Sequence, residues 1–138
     1  VQAATLCLIN RERRNHGEAP LADDSRLTGA AASHSRDMVA RDYFSHTSPG
    51  GQTALQRIQA SGFPGGSGAF SVGENIAWGT LWLATPREIV GAWMRSAGHR
   101  ANILDGRYRY TGVGVAPAVP RSLSDGQDGA VYTQDFAS

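Results

Sequence analysis

Apolar positions recur at helical spacing along most of the chain and change to alternation only toward its C-terminal end. In VQAATLCLINRERRNHG, Ala3, Leu6, Cys7, Ile9 and Asn10 fall near one stripe and Gly17 closes it. This predicts a helix with Cys7 as a small buried apolar side chain. A loop around Pro20 precedes a second helix, capped by Asp23 or Asp24, whose inner stripe is Leu27, Ala31, His34 and Met38. Its many small residues predict close approach by a neighbour, and His34 on that stripe reads as a hydrogen-bonded structural histidine. FSHTSPGG (44–51) breaks the pattern, and Thr53 with Gln56 then forms a capping-box signature for a short helix ending at Gly62.

The glycine-rich GFPGGSGAFS (62–71) lacks the lysine and hydroxyl of a phosphate loop, so it reads as a flexible connection. VGENIAWG (72–79) reads as a short extended segment. The next helix is the best signalled, with Thr85 as cap, Pro86 at its first position, Glu88 as the capping-box acid, and Ile89, Val90, Trp93 and Met94 inward. Gly98 is expected to stop it, leaving His99 one residue beyond. RYRYTGVGVAP (107–117) and AVYTQDF (130–136) alternate as strands, joined by a polar loop containing SDGQDG. Helices first and an antiparallel pair last predict an α+β domain with helices packed on a sheet.

The length suits one domain, residues 1–138, with a core of its own. No apolar run approaches a membrane span, and Val1 opens into helix without a leader; if the protein is exported, the expectation is that its signal has been removed. All 13 basic residues are arginine, nearly balanced by 12 acids, and a net charge of +1 excludes the strongly basic surface of a nucleic-acid binder. RERR (11–14) accordingly reads as a solvated helix face and RYRY (107–110) as one face of a strand. With Cys7 alone there is no internal disulfide, so the core must supply stability. A monomer is the expected state.

Four residues stand out chemically: His46 before a turn, Glu74 in GEN, and Ser96 and His99 around the expected helix stop. Two neutral imidazoles and a carboxylate on one spot can hold a divalent ion such as zinc with a position open to water, or can move protons. The intervals of 28 and 25 residues match no local metal motif. Ser96, His99 and Glu74 are the residue types of a hydrolase triad, but a nucleophile elbow needs glycine two before the serine, where this chain has Met94 on a helix. Asp125 and Asp128 lack the rest of a calcium loop and read as a turn. Trp78, Trp82 and Trp93 read as core, with Trp82 able to sit at a rim.

In order, HSRDM, DYFSHTSPGG, GENIAWG, WMRSAGHRANIL, GVGV and YTQDF together resemble the CAP superfamily of cysteine-rich secretory and pathogenesis-related proteins, and most closely its bacterial SCP-domain branch. The resemblance covers nearly the whole chain. It implies a three-layer α-β-α sandwich with a small, mainly antiparallel sheet and a cleft holding two histidines and two acids. His46, Glu74 and His99 match three of these, and Ser96 stands where the second acid is expected. The family's disulfides are absent. A secreted or cell-surface setting follows, without one fixed activity. The expectation is an extracellular binding module whose cleft holds a divalent metal through His46 and His99, with Glu74 as a further ligand. The alternatives are a metal-dependent, peptidase-like hydrolase using the same cleft, and lipid or sterol binding. Its partner is then a lipid, a cell-wall component or a protein, and not nucleic acid.

Overall fold

Among the described residues four strands form one sheet in the order β1-β3-β4-β2, from β1 (Ala22–Asp23), β2 (Val72–Thr80), β3 (Tyr110–Ala116) and β4 (Gly129–Ala137). The pairs β3–β4 and β4–β2 are antiparallel, while the two-residue β1 runs parallel to β3. The helices are α1 (Gln2–Asn15), α2 (Ser25–Ala40), α3 (Ala54–Ala60), α4 (Pro86–Met94), α5 (Ala97–Ile103) and the short α6 (Arg121–Ser124), with a 3-10 turn at Leu81–Ala84. This computed structural model describes residues 1–64 and 70–138, so half of the glycine-rich connection expected over 62–71 lies outside the described residues.

Strand alternation sorts the core into layers. On one face Ala130, Tyr132 and Phe136 of β4 and Val113 of β3 pack with Ile9 of α1, Ile89, Val90 and Trp93 of α4, and Ile103 of α5. On the other, Val131 and Ala137 of β4 and Ile76 of β2 meet Leu27, Ala30 and Met38 of α2 and Ile58 of α3. The result is the α-β-α sandwich that the resemblance implies. The close approach expected of the second helix is met by glycine: an added Cβ on Gly112 or Gly114 of β3 would lie 2.0 Å from the backbone nitrogen of Thr28 or Ala32.

The local signals mostly hold. Asp24 caps α2 by accepting from Arg26 N and Leu27 N, and Thr53 and Gln56 form both halves of their capping box. Thr85 caps α4 by accepting from Glu88 N, with Pro86 in its first turn.

Four expectations are corrected. Cys7 is exposed, because the inward side of α1 is Thr5, Ile9 and Arg13 rather than the stripe through Cys7. Arg13, expected on a solvated face, is buried because carbonyls at Ala19, Ile103, Asp105 and Tyr108 accept from its guanidinium. Gly98 stops no helix: α4 ends at Met94, the chain turns through Arg95 and an extended Ser96, and Gly98 and His99 lie in the first turn of α5. Of the three tryptophans only Trp93 is core; Trp78 and Trp82 are exposed.

Candidate functional site

The outer edge of β2 builds the site. Its carbonyls are covered by side chains from the helices: Trp93 Nε1 donates to Ile76 O at 3.1 Å, and Asn102 Nδ2 donates to Glu74 O at 3.3 Å. Asn75 Nδ2 donates to His99 O at 3.1 Å and Asn75 Oδ1 accepts from Asn102 at 2.9 Å, pinning α5 to the strand. This staple places His99 beside the strand that carries Glu74. Glu74 points to the opposite face of the sheet from Asn75, toward α2 and α3, as alternation requires.

Glu74 is buried and fully committed. Its Oε1 lies 2.8 Å from His46 Nδ1, and Arg57 Nη2 donates to Oε1 and Oε2 at 3.1 and 2.9 Å. Arg57, also buried, donates to the carbonyls of Gln52 at 3.1 Å and His46 at 2.7 Å, so one guanidinium fixes both the carboxylate and the loop carrying His46. The His46 ring itself is 54% exposed. His34 sits behind, its Nε2 2.8 Å from Ser45 O and 3.9 Å from Glu74 Oε1, as the expected structural histidine.

Asp135 faces Glu74 across the β2–β4 pairing and is completely buried. Among the described residues, neither of its oxygens meets a donor. Burial first, and the Glu74 carboxylate second, push Asp135 well above the ordinary carboxylate range. Burial alone would raise Glu74 too, but His46, Asp135 and Arg57 outweigh it and hold Glu74 below its usual value.

The half-buried His99 ring has Nδ1 2.7 Å from Ser96 Oγ and the Ile76 carbonyl beside it. Burial first and His46 second lower its pKa, so it is neutral at neutral pH and lies within electrostatic reach of His46. Ser96 occupies the N-cap position of α5 without a capping bond from its side chain, its hydroxyl being turned to the imidazole instead.

The structure thus brings His46 and Glu74 into contact and joins Ser96 to His99. Arg57 and Asp135 complete the site and were missed. A lone arginine in ALQRIQA carries no periodic signal, whereas Asp135 inside the apolar alternation of AVYTQDF was the readable one. As a metal set the residues fit only in part. Both Glu74 oxygens are already engaged by His46 and Arg57. Among the described residues no three of His, Cys, Asp and Glu are grouped to hold an ion. Two imidazoles are what the cleft can offer.

The chain is 36% identical over 129 residues to YkwD of Bacillus subtilis, a match covering 94% of this chain and 44% of that protein. It is 34% identical to the membrane protein YlbC of the same organism, covering 95% of this chain and 32% of that one. The chain thus spans less than half the length of these curated relatives. Among solved structures, an extracellular protein containing an SCP domain from Bacillus anthracis superposes with a TM-score of 0.77 at 31% identity, covering 98% of this chain and 39% of that one. An outer surface protein of Borrelia burgdorferi shares the fold with a TM-score of 0.76 at 19% identity, over 96% and 88% of the two chains. The model of the cysteine-rich secretory protein family matches residues 6–136, so the chain belongs to the CAP family.

Proposed function

We propose that this chain is an extracellular binding module whose cleft presents His46 and His99, and that a divalent cation such as zinc, when bound, is held by these two imidazoles. The observation carrying this reading is the 2.8 Å contact between His46 Nδ1 and buried Glu74, with the His46 ring more than half exposed. A carboxylate behind one imidazole nitrogen fixes the tautomer and leaves the other nitrogen to an incoming ligand. Similarity to proteins described as extracellular or outer-surface supports the setting, and no described helix is long and apolar enough to cross a membrane. With two protein ligands, zinc binding is expected to be weak, water filling the remaining positions.

Calorimetric titration of zinc near neutral pH tests the reading. His46→Ala and His99→Ala should each abolish binding, and Glu74→Gln should weaken it about 10- to 100-fold through loss of the orienting carboxylate. Zinc binding that survives either histidine substitution refutes it. A hydrolase using the same cleft is the second reading, favoured by the 2.7 Å contact between the Ser96 hydroxyl and a neutral His99. Ester or peptide turnover lost in both Ser96→Ala and His99→Ala would place it first.

A further inference from the structure

The 3-10 turn after β2 has no part in the cleft. Leu81, Trp82 and Leu83 are 58%, 67% and 45% exposed, three consecutive apolar side chains, and Trp78 near the end of β2 is 38% exposed. Single exposed apolar residues are ordinary on a protein surface, but a contiguous set is not. The turn is held firmly: Leu81 N donates to Asp128 O at 2.8 Å, and Tyr132 Oη donates to Ala84 O at 2.8 Å. Gly79 lies so close under the turn that a Cβ there would come within 2.4 Å of the Leu83 carbonyl. Leu81 takes φ +53°, a left-handed conformation that a branched side chain adopts only against strain. The fold thus maintains, at a cost, a rigid turn with its apolar side chains uncovered.

We infer that this turn is an interfacial anchor that seats the domain on a lipid bilayer, with Leu81, Trp82 and Leu83 entering the headgroup boundary. The area discriminates between occupants. Three side chains of this size at these exposures offer on the order of 300–400 Å². Each partner in a stable protein complex gives about 800 Å². Consecutive projecting apolar residues need a matched concavity in a protein partner, whereas a fluid bilayer accepts them as they are. Tryptophan flanked by leucine is also the composition that settles at a membrane–water interface. Arg87 at the start of α4 and Arg95 at its end, the latter lining a cavity of about 290 Å³ with Trp78, Leu83 and Glu88, make no ion pair among the described residues. Such guanidinium groups suit lipid phosphates. Trp78 lies on the same strand face as Glu74, four residues on, or about 13 Å along β2. A docked domain would therefore hold its histidine cleft at a set distance from the membrane.

The test is co-sedimentation of the whole chain with phosphatidylcholine vesicles, with and without one third phosphatidylglycerol, together with tryptophan emission. The wild-type chain should bind both, more tightly with phosphatidylglycerol, with emission shifting to the blue. Combining Leu81→Gly with Trp82→Ser should weaken binding at least about tenfold. Glycine fits the left-handed φ, so the melting temperature should be kept, which separates lost binding from lost folding. Leu55→Ser, at an exposed leucine on α3, should change nothing. Failure to sediment at millimolar lipid, or binding indifferent to the double substitution, overturns the inference. So does self-association removed by the double substitution without any vesicle binding, which would make a second copy the occupant. The same blue shift with a short-chain lipid below its micelle concentration, and none with vesicles, would mean capture of single lipids and overturn it as well.

Discussion

Glu74 orients His46, is neutralised by Arg57, and faces the buried carboxyl of Asp135 across the strand pairing. The last contact yields a stability prediction. The folded-state pKa of Asp135 lies above that of an unfolded aspartate, about 3.9. Its favourable contribution is complete below the unfolded value and is lost as pH rises from there through the folded value. Asp135→Asn keeps the shape of the side chain and cannot ionise. The variant should melt above wild type at about pH 8, with the gap closing toward about pH 4. Parallel melting curves at the two pH values would show that Asp135 does not carry the proton. At this scale His46, Glu74, Ser96 and His99 were readable because each stands in a distinctive local string. Arg57 was not, because its burial is decided by a carboxylate 17 residues away across the fold.

Elements were readable where their ends carry chemistry. Thr53–Gln56, Asp24 and Thr85–Pro86 each announce a helix start. The break between α4 and α5 was misplaced because Gly98 looks like a stop, while the real turn at Arg95–Ser96 uses ordinary residues and restarts a helix two positions later. The two-residue β1 is too short to alternate and exists only through its pairing with β3. The packing of α2 onto β3 makes a sharp prediction. At Gly114 a methyl group would collide with helix backbone, which cannot swing aside as a side chain can. Gly114→Ala should cost about 3 kcal/mol or more, roughly 10 °C in melting temperature. Gly98, in the first turn of α5 with nothing near its missing Cβ, is the contrast. Gly98→Ala should be neutral or stabilise by up to about 1 kcal/mol. Equal melting temperatures for the two variants would show that the helix does not rest on the glycines.

At the scale of the whole molecule the sandwich was readable from the order of its motifs, but what closes it was not. Without a disulfide the expectation was that the core alone must serve, yet the structure adds a polar staple. Arg13 is 1% exposed, and its guanidinium donates to carbonyls at Ala19, Ile103, Asp105 and Tyr108, tying α1 to the segment between α5 and β3 some 90 residues away. Sequence pattern could not show this because RERR resembles any solvated helix face, and only the tertiary fold brings four carbonyls to one of its three arginines. Burial lowers the Arg13 pKa, and Glu18 and Asp105 oppose that shift, so the side chain keeps its charge. Removing it leaves several buried carbonyls without donors. Arg13→Met, which preserves much of the apolar stem, should therefore cost about 3–5 kcal/mol. Arg14→Met, one position along on the exposed side, should stay within about 0.5 kcal/mol. Arg13→Lys should fall between them, because an ammonium keeps the charge but cannot span the carbonyls with a planar fork. Chemical denaturation of the three variants measures the order directly. If Arg13→Met proves as stable as Arg14→Met, the two halves of the chain are joined by the apolar core alone.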